Sequence, residues 1–207
     1  MNQSTNEMKI KAFAVIDTNV FVSMLKSLEN NSAVTTIGNL INNGNIIPVF
    51  DTRIISEYYS VLKYPKFGFS TDIIENFLSE ILSKGIYVDN IKQLQISFRD
   101  ESDIPFYEVM MDTQDLPSVL VTGNTKHFPV GCCVNPQQLV HNLKYLENFV
   151  APLKKEHYDK MIELKIIEIT STKKYYLGDL LPQEFIDKLK ERRLHINEYI
   201  KIADYID

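Results

Sequence analysis

Two cysteines stand in 207 residues, and they are neighbours, Cys132 and Cys133. Adjacent cysteines cannot build an ordinary disulfide framework or a zinc site. Long apolar runs are missing as well: no stretch approaches the roughly 18 to 20 apolar residues that span a bilayer. Met1–Lys11 is polar, and the first apolar run, Phe13–Ile16, is too short for the core of a secretory signal. These absences predict a soluble, reduced, cytoplasmic protein. Positive charge is also in deficit. Lys and Arg number 22 against 27 Asp and Glu, a net charge of −5, whereas phosphate contacts need Lys and Arg. Residues 151–207 hold 11 of each sign, so the surplus acids all fall in 1–150. A clustered carboxylate site accounts for several of them, and solvated helix faces would do so too. Charge alone does not decide.

What is present is a core. Hydrophobic residues make up 44% of the chain, enough for one domain of ordinary size plus an appendage. Residues 12–150 alternate short apolar runs with helical patterns, which predicts an α/β fold around a parallel sheet. Strands are expected at Ala12–Ile16, Ile46–Phe50, Val119–Thr122 and Cys132–Val134, with a short strand or bridge at Gly85–Val88. Pro48 cannot donate to a ladder, so the second of these is expected at an edge or a bulge. Helices are expected at Val20–Leu28, Val34–Ile41, from Asp51 to before Pro65, at Ile73–Leu82, and from Asp103 to about Met111. A further helix starts at Asn135-Pro136-Gln137-Gln138, a capping pattern. Beyond Pro152 a polar turn is expected at Ser171–Lys174 and a long helix from Pro182 to about Ala203.

Three acidic positions carry candidate chemistry. Asp17 directly follows a buried strand, at the sheet end where open α/β folds place ligands; it could equally cap the next helix. Ile54, Glu57, Tyr58 and Val61 follow i, i+3, i+4, i+7, so Glu57 lies on the apolar stripe of its helix. A buried carboxylate is costly unless a cation or hydrogen bonds compensate it; a salt bridge and a metal both answer that need. Asp100-Glu101-Ser102-Asp103 puts three acids before an apolar helix, more than capping requires, although Asp103 is well placed against the helix dipole. Acids from three strand-to-helix junctions converge at one end of a sheet. Oxygen ligands suit Mg2+ or Mn2+ rather than zinc, and such ions activate water and stabilise charge on a phosphodiester. An Asp-x-Asp phosphatase is excluded, because Asp17-Thr18-Asn19 lacks the second acid.

These stretches together resemble the PIN-domain family, and within it the toxin components of type II (VapC-like) toxin–antitoxin systems. The matching segments are Val15–Val20, Ile54–Glu57 with Val61–Phe67, Asp100–Phe106 and Leu120–Asn124, in the family's order across roughly residues 12–145. The resemblance implies a three-layer α/β/α sandwich over residues 1–150, with 151–207 as a C-terminal helical extension. It implies catalytic and metal-binding roles for Asp17, Glu57 and Asp103. The family's fourth acid falls on Asn124, which can offer a carbonyl oxygen but no charge. Asn19, Thr122 and Asp100 are expected to support the site. The implied activity is Mg2+- or Mn2+-dependent cleavage of single-stranded RNA; the alternative is a PIN-fold binding protein with weak or no nuclease activity. Lys63, Lys66, Arg99, Lys126 and His127 are candidates to guide RNA, with Tyr64, Phe67 and Phe69 as stacking candidates. Phe67 and Phe69 read first as core, and the lysines as plain surface. The expected partners are single-stranded RNA, an antitoxin protein and further copies of the chain, with no membrane. In the extension, Phe185, Leu189, Ile196, Ile200 and Ala203 form a helical stripe beside Lys188, Lys190, Arg192 and Arg193, and packing on the core is its first expectation.

Overall fold

A strand buried on both faces must be apolar throughout, and Ala12–Ile16 meets that condition as β1, with all five residues buried. The computed structural model describes residues 12–27, 32–88, 91–95, 100–113, 118–128, 133–143, 168–173 and 180–191. The further strands are β2 (Ile46–Phe50), β3 (Ile86–Tyr87), β4 (Ile91–Gln95), β5 (Ser118–Val121), β6 (Cys133–Val134) and β7 (Glu168–Lys173). β1 lies at the centre of a five-stranded sheet ordered β3-β2-β1-β5-β6. Every pairing within it is parallel. Helices flank the sheet: α1 (Thr18–Lys26), α2 (Ala33–Asn42), α3 (Thr52–Leu62), α4 (Thr71–Lys84), α5 (Ile104–Asp112) and α6 (Pro136–Asn142). The expected α/β architecture with a parallel sheet is the one observed.

Side-chain caps start most of these helices. Asp17, Ser32, Asp51 and Ser70 each accept a hydrogen bond from a backbone N–H of the following turn, satisfying a donor that the helix leaves open. Asn135 and Gln138 form the reciprocal capping box that their spacing predicts.

Pro48 corrects one expectation. β2 is an interior strand, between β1 and β3. Its pairing with β1 includes Ala14↔Pro48, whereas β3 pairs only with Val49 and Phe50. The ladder on that side begins after Pro48, so the missing donor costs it nothing. The approach of α4 to this strand is close. A Cβ on Gly85 would stand 2.3 Å from the Phe50 ring and 2.7 Å from the Pro48 carbonyl oxygen. Gly85→Ala is therefore expected to lose about 1–3 kcal/mol as an overpacked core does. Thermal melting should fall by several degrees, and an unchanged melting temperature would mean the junction is looser than this.

Two further corrections concern β-structure. Ile91–Gln95 forms β4, a strand that its mixed polar composition did not announce. Its partner is β7, antiparallel, which covers most of the expected polar turn. The polar run Thr170-Ser171-Thr172-Lys173 is no obstacle in a two-stranded ribbon, since an antiparallel pair needs a core on one face only. The backbone N–H of Leu94 donates to Glu108 Oε1 on α5 at 2.7 Å, so this ribbon is anchored to the main domain. Glu108 also pairs with Arg53, which pairs with Asp51 at 2.7 Å.

The long helix of the extension is described over α7 (Gln183–Glu191); Ile196, Ile200, Ala203, Arg192 and Arg193 lie outside the described residues. Phe185, Ile186 and Leu189 are buried. Phe185 stacks on Tyr59 of α3, with centroids 4.8 Å apart, and Lys188 pairs with Glu75 of α4. The described part of the extension thus packs on the core. Among the described residues no helix is long and apolar enough to cross a membrane.

Candidate metal centre

The chain leaves β1 for β2 on one side and later returns to β5 on the other. The crevice at the carboxyl ends of β1 and β5 is therefore the topological switch point of the sheet, the place where such sheets bind ligands. Asp17 stands there, its N–H bonded to the Val121 carbonyl at 2.9 Å. Its capping and functional readings turn out to be compatible. Oδ1 accepts from the Asn19 N–H at 3.1 Å, which caps α1, while Oδ2 accepts from the Thr122 hydroxyl and the Asn19 amide, both at 2.5 Å. Asn19 also receives the Gly123 N–H on its Oδ1 at 2.9 Å. One asparagine thus clamps the ends of β1 and β5 around the carboxylate, with the Thr122 hydroxyl beside it.

Glu57 reaches the same crevice from α3. Tyr58, fully buried, donates its hydroxyl to the Ile16 carbonyl and locks the helix against the end of β1. Its neighbour Glu57 is half-buried, with Oε1 accepting from the Thr18 hydroxyl at 2.6 Å. Among the described residues it makes no salt bridge, so an ion pair does not account for this carboxylate on an apolar stripe.

The third acid comes from the approach to α5. Asp100 caps a one-turn 3-10 helix (Glu101–Asp103), accepting from the Ser102 N–H and hydroxyl. Asp103 is buried and makes no cap hydrogen bond. Its Oδ2 instead lies 3.0 Å from His127 Nδ1. The other ring nitrogen, Nε2, lies 2.7 Å from the Asn124 amide nitrogen. Ligand atoms of Asp100, Asp103 and His127 all fall within 4.8 Å of one another. Asp17 and Glu57 lie outside that tight group, near enough for their charges to be felt.

The electrostatics explain what such a site needs. Burial pushes the Glu57 carboxyl up to about 7 against the Thr18 hydrogen bond, and the charges of Asp17, Asp103 and Asp100 push the same way. Burial likewise raises Asp17, opposed by the Thr122 and Asn19 hydrogen bonds. It raises Asp103 too, opposed by His127 and reinforced by Asp17 and Asp100. The exposed Asp100 is held low by its Ser102 hydrogen bonds. Carboxylates that burial and mutual repulsion keep from ionising are relieved by a cation. Oxygen donors of this kind fit a hard divalent ion such as Mg2+ or Mn2+.

The remaining candidates divide. Lys63, Lys66 and Lys126 are exposed, and Arg99 lies outside the described residues. Phe67 and Phe69 are half-buried, midway between the core and stacking readings, while Tyr64 is 50% exposed. The role of His127 beside Asp103 is new. Sequence reasoning placed it only among RNA-guiding residues, since nothing but the fold brings it back to an acid 24 positions earlier. The family model described as PIN domain matches residues 14–126, more than half of the chain. Comparison with curated proteins and with solved structures finds no match.

Proposed function

This chain belongs to the PIN-domain family, and from that premise we propose that it is a metal-dependent endoribonuclease of single-stranded RNA, the toxin of a toxin–antitoxin pair. The observation that carries the reading is the set of hydrogen bonds that hold Asp17, Glu57 and Asp103 about the switch point of the sheet, from Asn19, Thr122, Thr18 and His127. Asp17, Glu57 and Asp103 would hold Mg2+ or Mn2+, which would supply water activation and offset charge developing on the phosphodiester. The protein's own share is positioning. Asn19 and Thr122 hold Asp17 in one rotamer, Thr18 orients Glu57, and His127 holds Asp103. Preorganised groups of this kind need no rearrangement during the reaction.

A second feature supports a single-stranded substrate. The rings of Tyr64 and Phe67 stack at 6.5 Å, and those of Phe67 and Phe69 at 6.1 Å. Lys26 lies 4.5 Å and Lys66 4.9 Å from the Phe67 centroid. Unpaired bases stack on exposed rings, and cations beside them meet the phosphates. Tyr64→Ala is expected to weaken binding of a single-stranded RNA about tenfold, on the scale of one stacked base. Equal affinities of variant and wild type in a fluorescence-anisotropy titration would remove this surface from the substrate path.

One observation favours a rival. Asn124 brings no charge to the fourth corner, which fits a PIN-fold protein that binds RNA or a partner and cleaves little. A mixed RNA panel with Mg2+ or Mn2+ separates the two readings. Cleavage by wild type and not by Asp17→Asn supports the nuclease; cleavage by neither favours the rival, and equal cleavage by both overturns the assignment of the reaction to this acidic site. In the toxin reading the protein partner is an antitoxin.

A further inference from the structure

We infer that His127 replaces the missing fourth acid as a ligand of the metal ion, with Asn124 as the residue that sets its ring. The inference rests on the metal part of the proposed function. Its ground is the arrangement around Asp103. His127 Nδ1 lies 3.0 Å from Asp103 Oδ2, and both belong to a group, with Asp100, whose ligand atoms fall within 4.8 Å of one another. That closeness suits shared coordination of one ion. Neutral imidazole is the commonest protein ligand of metals, and Mn2+, a transition ion, takes it beside oxygen ligands, so this donor set is not confined to carboxylates.

Asn124 then has a purpose of its own. Its side chain meets His127 Nε2 at 2.7 Å. With the amide nitrogen turned to Nε2, the matching neutral tautomer carries its ring proton on Nδ1, toward Asp103. An amide has a donor and an acceptor at the ends of one plane. Turned over, Asn124 accepts from Nε2–H and leaves the Nδ1 lone pair facing the acids. A ligating histidine commonly donates its other N–H in this way, and the partner fixes its tautomer and orientation. An aspartate at 124 would bind the ion itself; an asparagine delegates that task to the imidazole one short turn later. The backbone helps: the Asn124 N–H donates to Thr122 Oγ1 at 2.9 Å, and the His127 N–H to the Asn124 carbonyl at 3.1 Å. The turn that carries the ring is thereby tied to the same threonine that holds Asp17.

A change in the ion's preference follows. Mg2+ keeps oxygen ligands and several of its own waters, whereas Mn2+, a transition ion, also takes the imidazole nitrogen that is the commonest protein ligand of metals. The full chain should therefore bind Mn2+ in preference to Mg2+, and His127→Ala should lower Mn2+ affinity at least about tenfold with a smaller effect on Mg2+. The direct readout is electron spin-echo spectroscopy of the Mn2+-loaded protein, which reports nitrogen bound directly to the ion without any assay of activity. Expected are a nitrogen coupling in the wild type and its loss in His127→Ala. His127→Gln, which keeps a hydrogen-bonding side chain beside Asp103, should lose it too, and serves if the alanine variant fails to fold. Bound Mn2+ without nitrogen coupling, or coupling that survives both substitutions, overturns the inference while leaving the acidic metal site intact. A wild-type protein that binds no Mn2+ overturns both.

Discussion

Asp17→Asn is expected to reduce metal-dependent RNA cleavage by about 10³-fold or more, on the scale of removing a preorganised electrostatic group from a transition state. The same variant should melt close to the wild type when metal is chelated. The two halves of this prediction share one cause. Asp17 is buried, and burial raises its carboxyl above the ordinary range despite three hydrogen bonds. The folded, metal-free protein therefore holds a charge it would rather lose. Asparagine keeps the shape and removes that charge, which offsets the loss of the hydrogen bonds that its amide nitrogen cannot accept from Thr122 and Asn19, and it deprives the ion of one of its proposed ligands. Rates on a cleaved RNA, with melting curves in a chelator, test both halves. A variant as active as wild type would sink the assignment of Asp17; one that is inactive and unfolded would place Asp17 in folding instead. Active sites commonly trade stability in this way.

The second large effect is a pH dependence of metal affinity governed by Glu57. Its carboxyl is raised from 4.5 to about 7, first by burial and then by the surrounding acids. A carboxyl with a higher pKa when folded than when unfolded holds its proton more tightly in the fold. The metal-free protein is therefore stabilised by acid, and this stability is lost as pH rises from about 4.5 to about 7. A divalent ion needs the ionised form. Apparent Mn2+ affinity should accordingly rise about tenfold per pH unit up to about 7 and then level off, because one proton is displaced. The rise in melting temperature on adding Mn2+ should be larger at about pH 8 than at about pH 5.5. Calorimetric titrations across that range provide the test, with Glu57→Gln expected to bind weakly and with a flatter profile. A wild-type affinity that stays level across this whole range would remove Glu57 from the ion's ligands.

Both effects depend on charges that sit together only in the folded chain, and the limits of a sequence reading follow from that. The strand positions were legible because a strand buried on both faces has to be apolar, and β1, β2 and most of β5 are. The caps were legible at Asp51 and Asn135, since capping is a local hydrogen bond between near neighbours. Glu57 was legible from its place on an apolar helical stripe, which makes a carboxylate conspicuous. Less local features were not. Pro48 was misplaced at an edge, because which neighbour starts where is a matter of pairing between distant segments. β4 and β7 went unread for the same reason: each is largely polar, and each is made a strand by a partner far away in the chain.

The amino-acid sequence by itself therefore determined the α/β class, the family and the three acids that could carry an ion. Periodicity, burial cost and motif order are properties of short stretches of chain, and they survive without coordinates. Tertiary structure decided how those acids are held and which side chains lie against them. It closed Asn19 and Thr122 around Asp17, set Thr18 against Glu57, and brought His127 to Asp103. Such contacts join residues from separate elements, and their carboxylates perturb one another only when burial removes the water between them.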